Sequence, residues 1–593
     1  HDIPMLEARF VTTEQGTGIV HCAPSHGPDD FNLCLKNNIP SLYTVDDSGY
    51  YTNEIPFFSK THIFKADSLV IEKLKEHKKI LKDDKLNHSY PHSWRSKAPL
   101  IYRATPQWFI SMQKNKLRDK AVKAINETAF YPSKGKDRLL SMIEGRPDWC
   151  VSRQRVWGVP LPIFVNKKTK EPLRDQKVID RIAEIYEKQG SDCWFTDNPK
   201  VFLGDNYKAE DYEKLNDIVE VWFDSGSTHS FVLEKRKDLS WPADMYLEGS
   251  DQHRGWFHSS LLESCGTRGK APFKSILSHG FVVDGKGLKM SKSLGNVISP
   301  DDILKSYGAD ILRVWAAASD YAEDLRIDKS ILSQHAESYR KIRNTFRYML
   351  GNLKDNFKKQ DFKKLDVKKF DELEQYILHK LFILDKSYRE NLKNYNLHKL
   401  YKELLNFCSL DLSSFYFDIR KDVLYCDSLN SKKRRDCVVV LNVILETLLK
   451  WFAPILVFTS EEISNLINKN NSSIHEETFM EIPKKWENNE LNKKWNKLYK
   501  IKQEANIAIE EKRASKEIGS SLEAEIKLIL KKDKFEILEK LDLADYFIVS
   551  KAEKELSKND EIRIEVKKAK GQKCERCWKI LEKKCQRESC PIK

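Results

Sequence analysis

The hydrophobic period of this chain changes near residue 330, and that change limits what it can fold into. From about 86 to 320, short apolar runs alternate with turn signals and helical patches: PLPIFV, IVEVWF, ADMYLEG and SILSHGFVV. Buried parallel strands have this texture, so an α/β region is expected there. Beyond 330 the apolar residues recur every three or four positions. In SYRKIRNTFRYMLGNL, Tyr339, Ile342, Phe346, Met349 and Leu353 share one face, while Arg340, Arg343 and Arg347 occupy others. Further helices are expected through LNVILETLLKWFAPILVF, and Thr459 with Glu462 has the spacing of a capping box for the next one. A chain of 593 residues holding both patterns is multidomain, α/β plus all-α.

Four segments follow. Residues 1–85 are mixed. RFVTTEQGTGIVHCAP has the β-branched character of a strand bent at Gly16 and Gly18. DSLVIEKLKEHKKIL, Asp67 to Leu81, predicts an amphipathic helix with Asp67 as its N-cap. Residues 86–325 form the α/β region, with a more polar insertion near 165–215. Residues 326–510 form a helical bundle. Residues 511–593 alternate strand-like and helical pieces up to a cysteine cluster at 574–590.

Lys and Arg total 102 against 88 Asp and Glu, a net charge of +14. The surplus suits a polyanionic partner such as nucleic acid, and equally a lysine-rich protein with no such partner. No apolar run approaches the roughly 18–20 residues of a membrane span, and no signal peptide opens the chain. Its first residues, HDIPMLEARF, predict that an N-terminal portion precedes them. Eight cysteines are scattered singly, as in proteins of a reducing compartment. The other four are Cys574, Cys577, Cys585 and Cys590. The first two form C-x2-C, a usual zinc half-site, and the second two form C-x4-C.

The stretch GKGLKMSKSLGN, Gly285 to Asn296, cannot build a core. SILSHGFVVDG before it predicts a strand running into a turn at Asp284–Gly287. Ser299, Pro300 and two aspartates after it predict a capped helix start. The lysines therefore lie outside the carboxyl end of a strand, where open α/β sheets gather ligands. Lys289 and Lys292 put two mobile charges where a polyphosphate can lie, and Ser291 and Ser293 add hydrogen-bond donors. A surface loop of solvated lysines has the same composition.

KMSKS, at Lys289, Met290, Ser291, Lys292 and Ser293, resembles a signature of class I aminoacyl-tRNA synthetases. LKMSKSLGNVISPDDIL and YGADILRVW continue the likeness. RATPQWF, WCVSRQRVWGVPLP, VWFDSGSTHS and YLEGSDQHRGWF resemble the isoleucyl-tRNA synthetases of bacterial type, and the likeness covers nearly the whole chain. ESYRKIRNTFRYMLGNL and FCSLDLSSFYFDIRKDVLYCD resemble that family's anticodon-binding bundle. The resemblance implies the second half of a Rossmann-like catalytic domain at 86–325. It implies the remnant of a β-rich editing domain at 1–85, the bundle at 326–510, and a tRNA-contacting tail with a zinc knuckle.

It also implies chemistry. The substrates would be ATP with Mg2+, L-isoleucine and tRNA(Ile), in a cytoplasmic monomer without a membrane. Lys289 and Lys292 would stabilise the departing pyrophosphate. Glu248, Gly249, Asp251 and Gln252 would hold the adenylate, with Lys292 on the nucleotide. Trp222 and Trp256 resemble the aromatic walls of the isoleucine pocket. Such a pocket excludes larger groups, but a missing methylene costs only about 1–3 kcal/mol, a limit for which isoleucine against valine is the standard example. A hydrolytic editing site is therefore expected, and GTGIVHCAPSHGPDDF resembles its core. Asp30 would bind the mischarged ammonium, with Thr17 and His26 lining the pocket.

Two departures qualify the likeness. The family's cysteine pattern has a longer spacer and a second C-x2-C, whereas this chain has a shorter spacer and a wider second pair. Its H-x-G-H-like nucleotide motif is absent from these residues, as is the threonine-rich half of the editing pocket. The polypeptide alone is therefore expected not to activate isoleucine. Two rival readings stand beside this one: a valyl or leucyl synthetase, and a non-catalytic nucleic-acid-binding zinc protein.

Overall fold

The computed structural model describes residues 3–14, 16–93, 96–353, 357–467, 472–539, 541–557, 563–583 and 585. The chain divides into two compact units. One comprises residues 1–118 and 145–227, the other residues 119–144 and 228–593. No described helix is long and apolar enough to cross a membrane.

In the first unit, none of the described residues of Arg9–Pro24 forms the expected strand. A strand needs a neighbour to take its N–H and C=O groups, and β-branched side chains alone do not supply one. Nearby, extended backbone meets only in single bridges, Val45 with Tyr51 and Tyr50 with His62. The helix expected from Asp67 runs Ala66–Glu76, with Lys65 in the cap position and Asp67 in the first turn. It stops short of Leu81 because Lys78 turns into the left-handed region at φ 52°. IVEVWF also departs from expectation. Only Ile218–Val219 is a strand, it pairs antiparallel with Ser152–Arg153, and Val221–Gly226 is a short helix.

Residues 164–214 of that unit carry their own core. Phe164–Asn166 and Tyr212–Lys214 pair antiparallel. Between them, Asp175 caps the helix Gln176–Gln189, whose Val178 and Ile182 pack with Phe164, Trp194, Phe202 and Leu203.

The second unit holds the parallel sheet. Strands β1 (Ala129–Tyr131), β2 (Tyr246–Gly249) and β3 (Ser275–His279) lie in the order β1-β3-β2, all parallel. Helix α1 (Lys134–Glu144) follows β1, and α2 (Trp256–Thr267) links β2 to β3. Strand β4 (Val282–Asp284) follows two residues later and pairs parallel with β5 (Leu325–Ile327). Between β4 and β5 come the lysine loop, α3 (Pro300–Tyr307) and α4 (Ala309–Ala318). Ser299 caps α3 as predicted, its hydroxyl accepting from Asp301 N at 3.3 Å.

Among the described residues, seven further α-helices make the bundle: α5 (Lys329–Leu353), α6 (Glu372–Lys393), α7 (Leu397–Asn406), α8 (Asp418–Cys426), α9 (Lys432–Phe452), α10 (Val457–Ile467) and α11 (Asn489–Ala514). Residues 407–417 widen into a π-helix between α7 and α8. The predicted face of α5 is the buried one: Ile342, Phe346, Met349 and Leu353 are almost fully enclosed. The same apolar core continues into a three-stranded sheet at Ala524–Leu530, Lys551–Leu556 and Arg563–Lys568.

The capping box at Thr459 and Glu462 is not there, because both residues lie inside α10. The cap comes from α4 instead. The Asp310 carboxylate accepts from Phe458 N at 3.2 Å, Thr459 N at 2.8 Å and Thr459 Oγ1 at 2.6 Å. One turn along α4, Arg313 donates to the carbonyls of Pro454 and Ile455, at 2.6 and 3.1 Å. Thus α4 answers both dipole ends that meet in the α9–α10 turn, carbonyls with a cation and amides with an anion.

Candidate functional site

The carboxyl ends of β2 and β3 lie side by side in the second unit. Glu248 pairs in register with Ser278 and Gly249 with His279. Glu248 and Asp251 are exposed, while Gln252 is half-buried. A Cβ on Gly249 would sit 2.7 Å from Asp251 Oδ1, so glycine lets that carboxylate fold back on the strand end. Gln252 Oε1 accepts from Trp256 N at 2.9 Å and so caps α2. The turn itself is closed by His253, whose Nδ1 meets the Ser250 carbonyl at 2.8 Å. Burial lowers the His253 pKa, which favours the neutral ring.

Trp256 stacks flat on Tyr246, with ring centroids 4.0 Å apart and planes 1° from parallel. Its fixed indole makes one rigid apolar wall next to the Gly249–Gln252 turn. Trp222 belongs to the other unit, on the helix Val221–Gly226, and is 39% exposed.

The lysine loop starts six residues after His279 along the chain, so Gly285 lies no more than about 20 Å from it. The loop is ordered by its own polar groups. Asp284 accepts from Lys286 N at 3.0 Å and Leu288 N at 2.8 Å, which builds the predicted turn. The hydrogen bond from Asn296, followed by that from Leu288 N, holds the Asp284 carboxyl below its usual range. A Cβ on Gly285 would lie 2.0 Å from Asp328 Oδ2, so any larger residue there must displace that carboxylate. Ser291 Oγ accepts from Leu294 N at 3.3 Å and lies 3.1 Å from Ser293 Oγ. The serines thus spend part of their capacity on the loop itself. Met290 packs against the apolar cluster of Ile303, Ile311 and Trp315. Lys289 and Lys292 remain exposed.

In the first unit, Asp30 sits in the first turn of the helix Pro28–Lys36, and its Oδ2 accepts from Ala23 N at 2.9 Å. His26 is braced at both nitrogens, Nδ1 on the Tyr102 carbonyl at 3.0 Å and Nε2 on Thr44 Oγ1 at 2.8 Å. Thr17 bonds within its own turn, to Ile19. His26 and Asp30 therefore flank the start of that helix, while Thr17 has its hydroxyl engaged locally.

The Sγ atoms of Cys574, Cys577 and Cys585 lie within 4.8 Å of one another. Cys590 lies outside the described residues. Tetrahedral Zn–S bonds of about 2.3 Å put sulfurs about 3.8 Å apart, so the three thiols need only a small contraction to share one ion. Thiolate donors suit zinc. Burial, with Cys574 beside it, pushes the Cys577 thiol up to about 12, a charge cost that a bound cation would offset. The cysteine turn is tied to the bundle. Arg576 Nη2 donates to the Tyr425 carbonyl at 2.7 Å, and Lys579 Nζ lies 2.9 Å from Asp545 and 3.6 Å from Asp422.

Residues 30–328 match the family model of class I tRNA synthetases (I, L, M and V), and residues 374–528 match that of the anticodon-binding domain of tRNA ligases. The chain belongs to the class I tRNA synthetases. The isoleucine–tRNA ligase of Pelagibacter ubique (strain HTCC1062) is 68% identical to it over 99% of this chain and 65% of that protein. That of Gluconobacter oxydans (strain 621H) is 46% identical over 98% of this chain and 62% of that protein. The chain thus spans less than two thirds of the length of these curated relatives. Among solved structures, Mycobacterium tuberculosis methionyl-tRNA synthetase in complex with methionyl-adenylate is 16% identical, with a TM-score of 0.47 over 65% of this chain and 68% of that one.

Sequence reasoning missed Asn296, His253, Asp310 and Arg313. For Asn296 there was a local signal, an Asx residue after the Gly295 turn. The α4 pair meets partners more than 140 residues away, which no local pattern reveals.

Proposed function

We propose that this chain is the greater part of an isoleucine–tRNA ligase. The observation that carries the reading is the presence in one unit of two exposed lysines after β4 and an acidic turn at the carboxyl end of β2, in a chain 68% identical to one such ligase. The isoleucine carboxylate attacks the α-phosphate of ATP, and isoleucyl-adenylate and pyrophosphate form. Lys289 and Lys292 neutralise charge on the leaving pyrophosphate, where such charge grows in the transition state. Glu248, Gly249, Asp251 and Gln252 hold the adenylate, and Trp256 walls the aliphatic side chain. The tRNA terminal ribose then takes the aminoacyl group. Mg2+ accompanies ATP and supplies charge neutralisation.

The same reading assigns residues 326–510 and the tail to the tRNA(Ile) anticodon arm. Asp30, with Thr17 and His26, belongs to hydrolysis of mischarged valine. Cys574, Cys577 and Cys585, with Cys590, hold Zn2+, which supplies structural cross-linking. The protein works as a cytoplasmic monomer.

The test is amino-acid-dependent pyrophosphate exchange by a full-length protein carrying this chain. Isoleucine should support exchange, valine weakly, and leucine not at all. Preference for valine or leucine would transfer the assignment to that synthetase. Tight tRNA binding with no exchange for any amino acid would leave the nucleic-acid-binding reading.

A further inference from the structure

We propose that Asn296 is a positioning residue that fixes how Lys289 and Lys292 are presented, acting through Asp284; this rests on the activity proposed above. Its carboxamide meets three partners. Oδ1 accepts from Ser291 N at 2.9 Å, and Nδ2 donates to Asp284 Oδ2 at 2.9 Å and to the Lys289 carbonyl at 3.3 Å. The Lys289 carbonyl and the Ser291 N–H belong to the two peptide groups flanking Met290. Asn296 therefore grips the backbone on both sides of Met290, one of the two residues between the lysines.

The Met290 side chain packs against the apolar cluster that holds Ile303 and Ile311. Its backbone and its side chain are thus each held, and Lys289 and Lys292 on either side are left exposed. Asp284 completes the device. It opens the loop, binds Lys286 N and Leu288 N with one oxygen, and offers the other to Asn296, twelve residues on. The loop is closed at its base by one side-chain pair.

The chemistry at position 296 is specific. The group must accept one bond and donate others, which a carboxamide does and a carboxylate does not. The change Asn296→Asp would also set a second carboxylate against Asp284. The exchanged pair would restore the contact between the two side chains, with only the 3.3 Å bond to the Lys289 carbonyl lost: an amide at 284 can still accept from the two backbone N–H groups and donate to a carboxylate at 296, which still accepts from Ser291 N.

Three proteins are compared: parent, Asn296→Asp, and the double variant Asp284→Asn/Asn296→Asp. Cleavage by trypsin after Lys286, Lys289 and Lys292 at pH 8 reports loop opening. The single variant should be cut about tenfold faster than the parent, and the double variant within about twofold of it. In the full-length protein, kcat and kcat/KM for pyrophosphate exchange should fall together by about tenfold in the single variant and recover in the double variant. Equal protection in the single variant, a freed loop with unchanged kcat, or no recovery in the double variant would each overturn the role of Asn296. A parent without exchange refutes the activity instead, and the two failures are separable because cleavage is read independently of turnover.

Discussion

Replacing Asp310 by alanine should destabilise the second unit more than any change to the residues that look like a local cap. Asp310 is 8% exposed and accepts three hydrogen bonds at the start of α10. Loss of a helix cap costs about 1 kcal/mol. The Thr459 amide and hydroxyl, in a residue 4% exposed, would then lack their carboxylate, at about 1–3 kcal/mol more. The sum is about 3 kcal/mol. Thr459→Val removes only a hydroxyl shared with Asp310 and Tyr339, at about 1 kcal/mol. Glu462→Ala breaks a pair with Arg343 whose side chains are 54% and 47% exposed, worth about 0.5 kcal/mol or less. Urea unfolding should rank the variants in that order, with Asp310→Asn between Asp310→Ala and Thr459→Val. Hydrogen exchange at the Phe458 and Thr459 amides should accelerate most in Asp310→Ala. If Thr459→Val and Glu462→Ala each cost about 1 kcal/mol and Asp310→Ala less, α10 is capped locally and the reasoning fails.

Three further outcomes are expected. Glu374 is fully buried and makes a two-point bond with Arg420, at 2.7 and 2.6 Å. Glu374→Gln should therefore lower urea stability by about 3–5 kcal/mol, while the paired change Glu374→Met/Arg420→Leu should be far milder. Burial lowers the Lys502 amine from 10.5 to about 8, so between those pH values the unfolded chain binds more protons and stability rises with pH. Relative to Lys502→Met, the parent should gain stability from pH 7.5 to 10 by roughly 2–3 kcal/mol, and a flat difference would contradict the shift. Cys577→Ser should abolish stoichiometric zinc, measured by chelator-dye release, and should speed exchange at Ile580 N, which bonds Ser550 Oγ at 2.7 Å.

What was legible in the sequence was local. The Asp284–Gly287 turn, the Ser299 cap and the apolar face of α5 rest on neighbours within a few residues, and each formed as expected. What failed depended on partners far along the chain. The strand at Arg9–Pro24 lacked a neighbour, and Trp222 fell on a short helix because β pairing ended at Val219. Thr459 carried a capping signal, but a carboxylate 149 residues away reached the helix start first. At the candidate site, the motif named the lysines and the acidic turn. It did not name Asn296 or His253, whose side chains hold those two turns in shape.

The proposed activity requires the two exposed ammonium groups to stabilise a leaving pyrophosphate. Pyrophosphate exchange with isoleucine in the full-length protein, comparing the parent with Lys289→Ala, Lys292→Ala and the double variant, measures this most directly. Each single change should lower kcat by about 10²-fold or more while isoleucine binding, followed by calorimetry, stays within about twofold. Undiminished exchange in the double variant would contradict the claim.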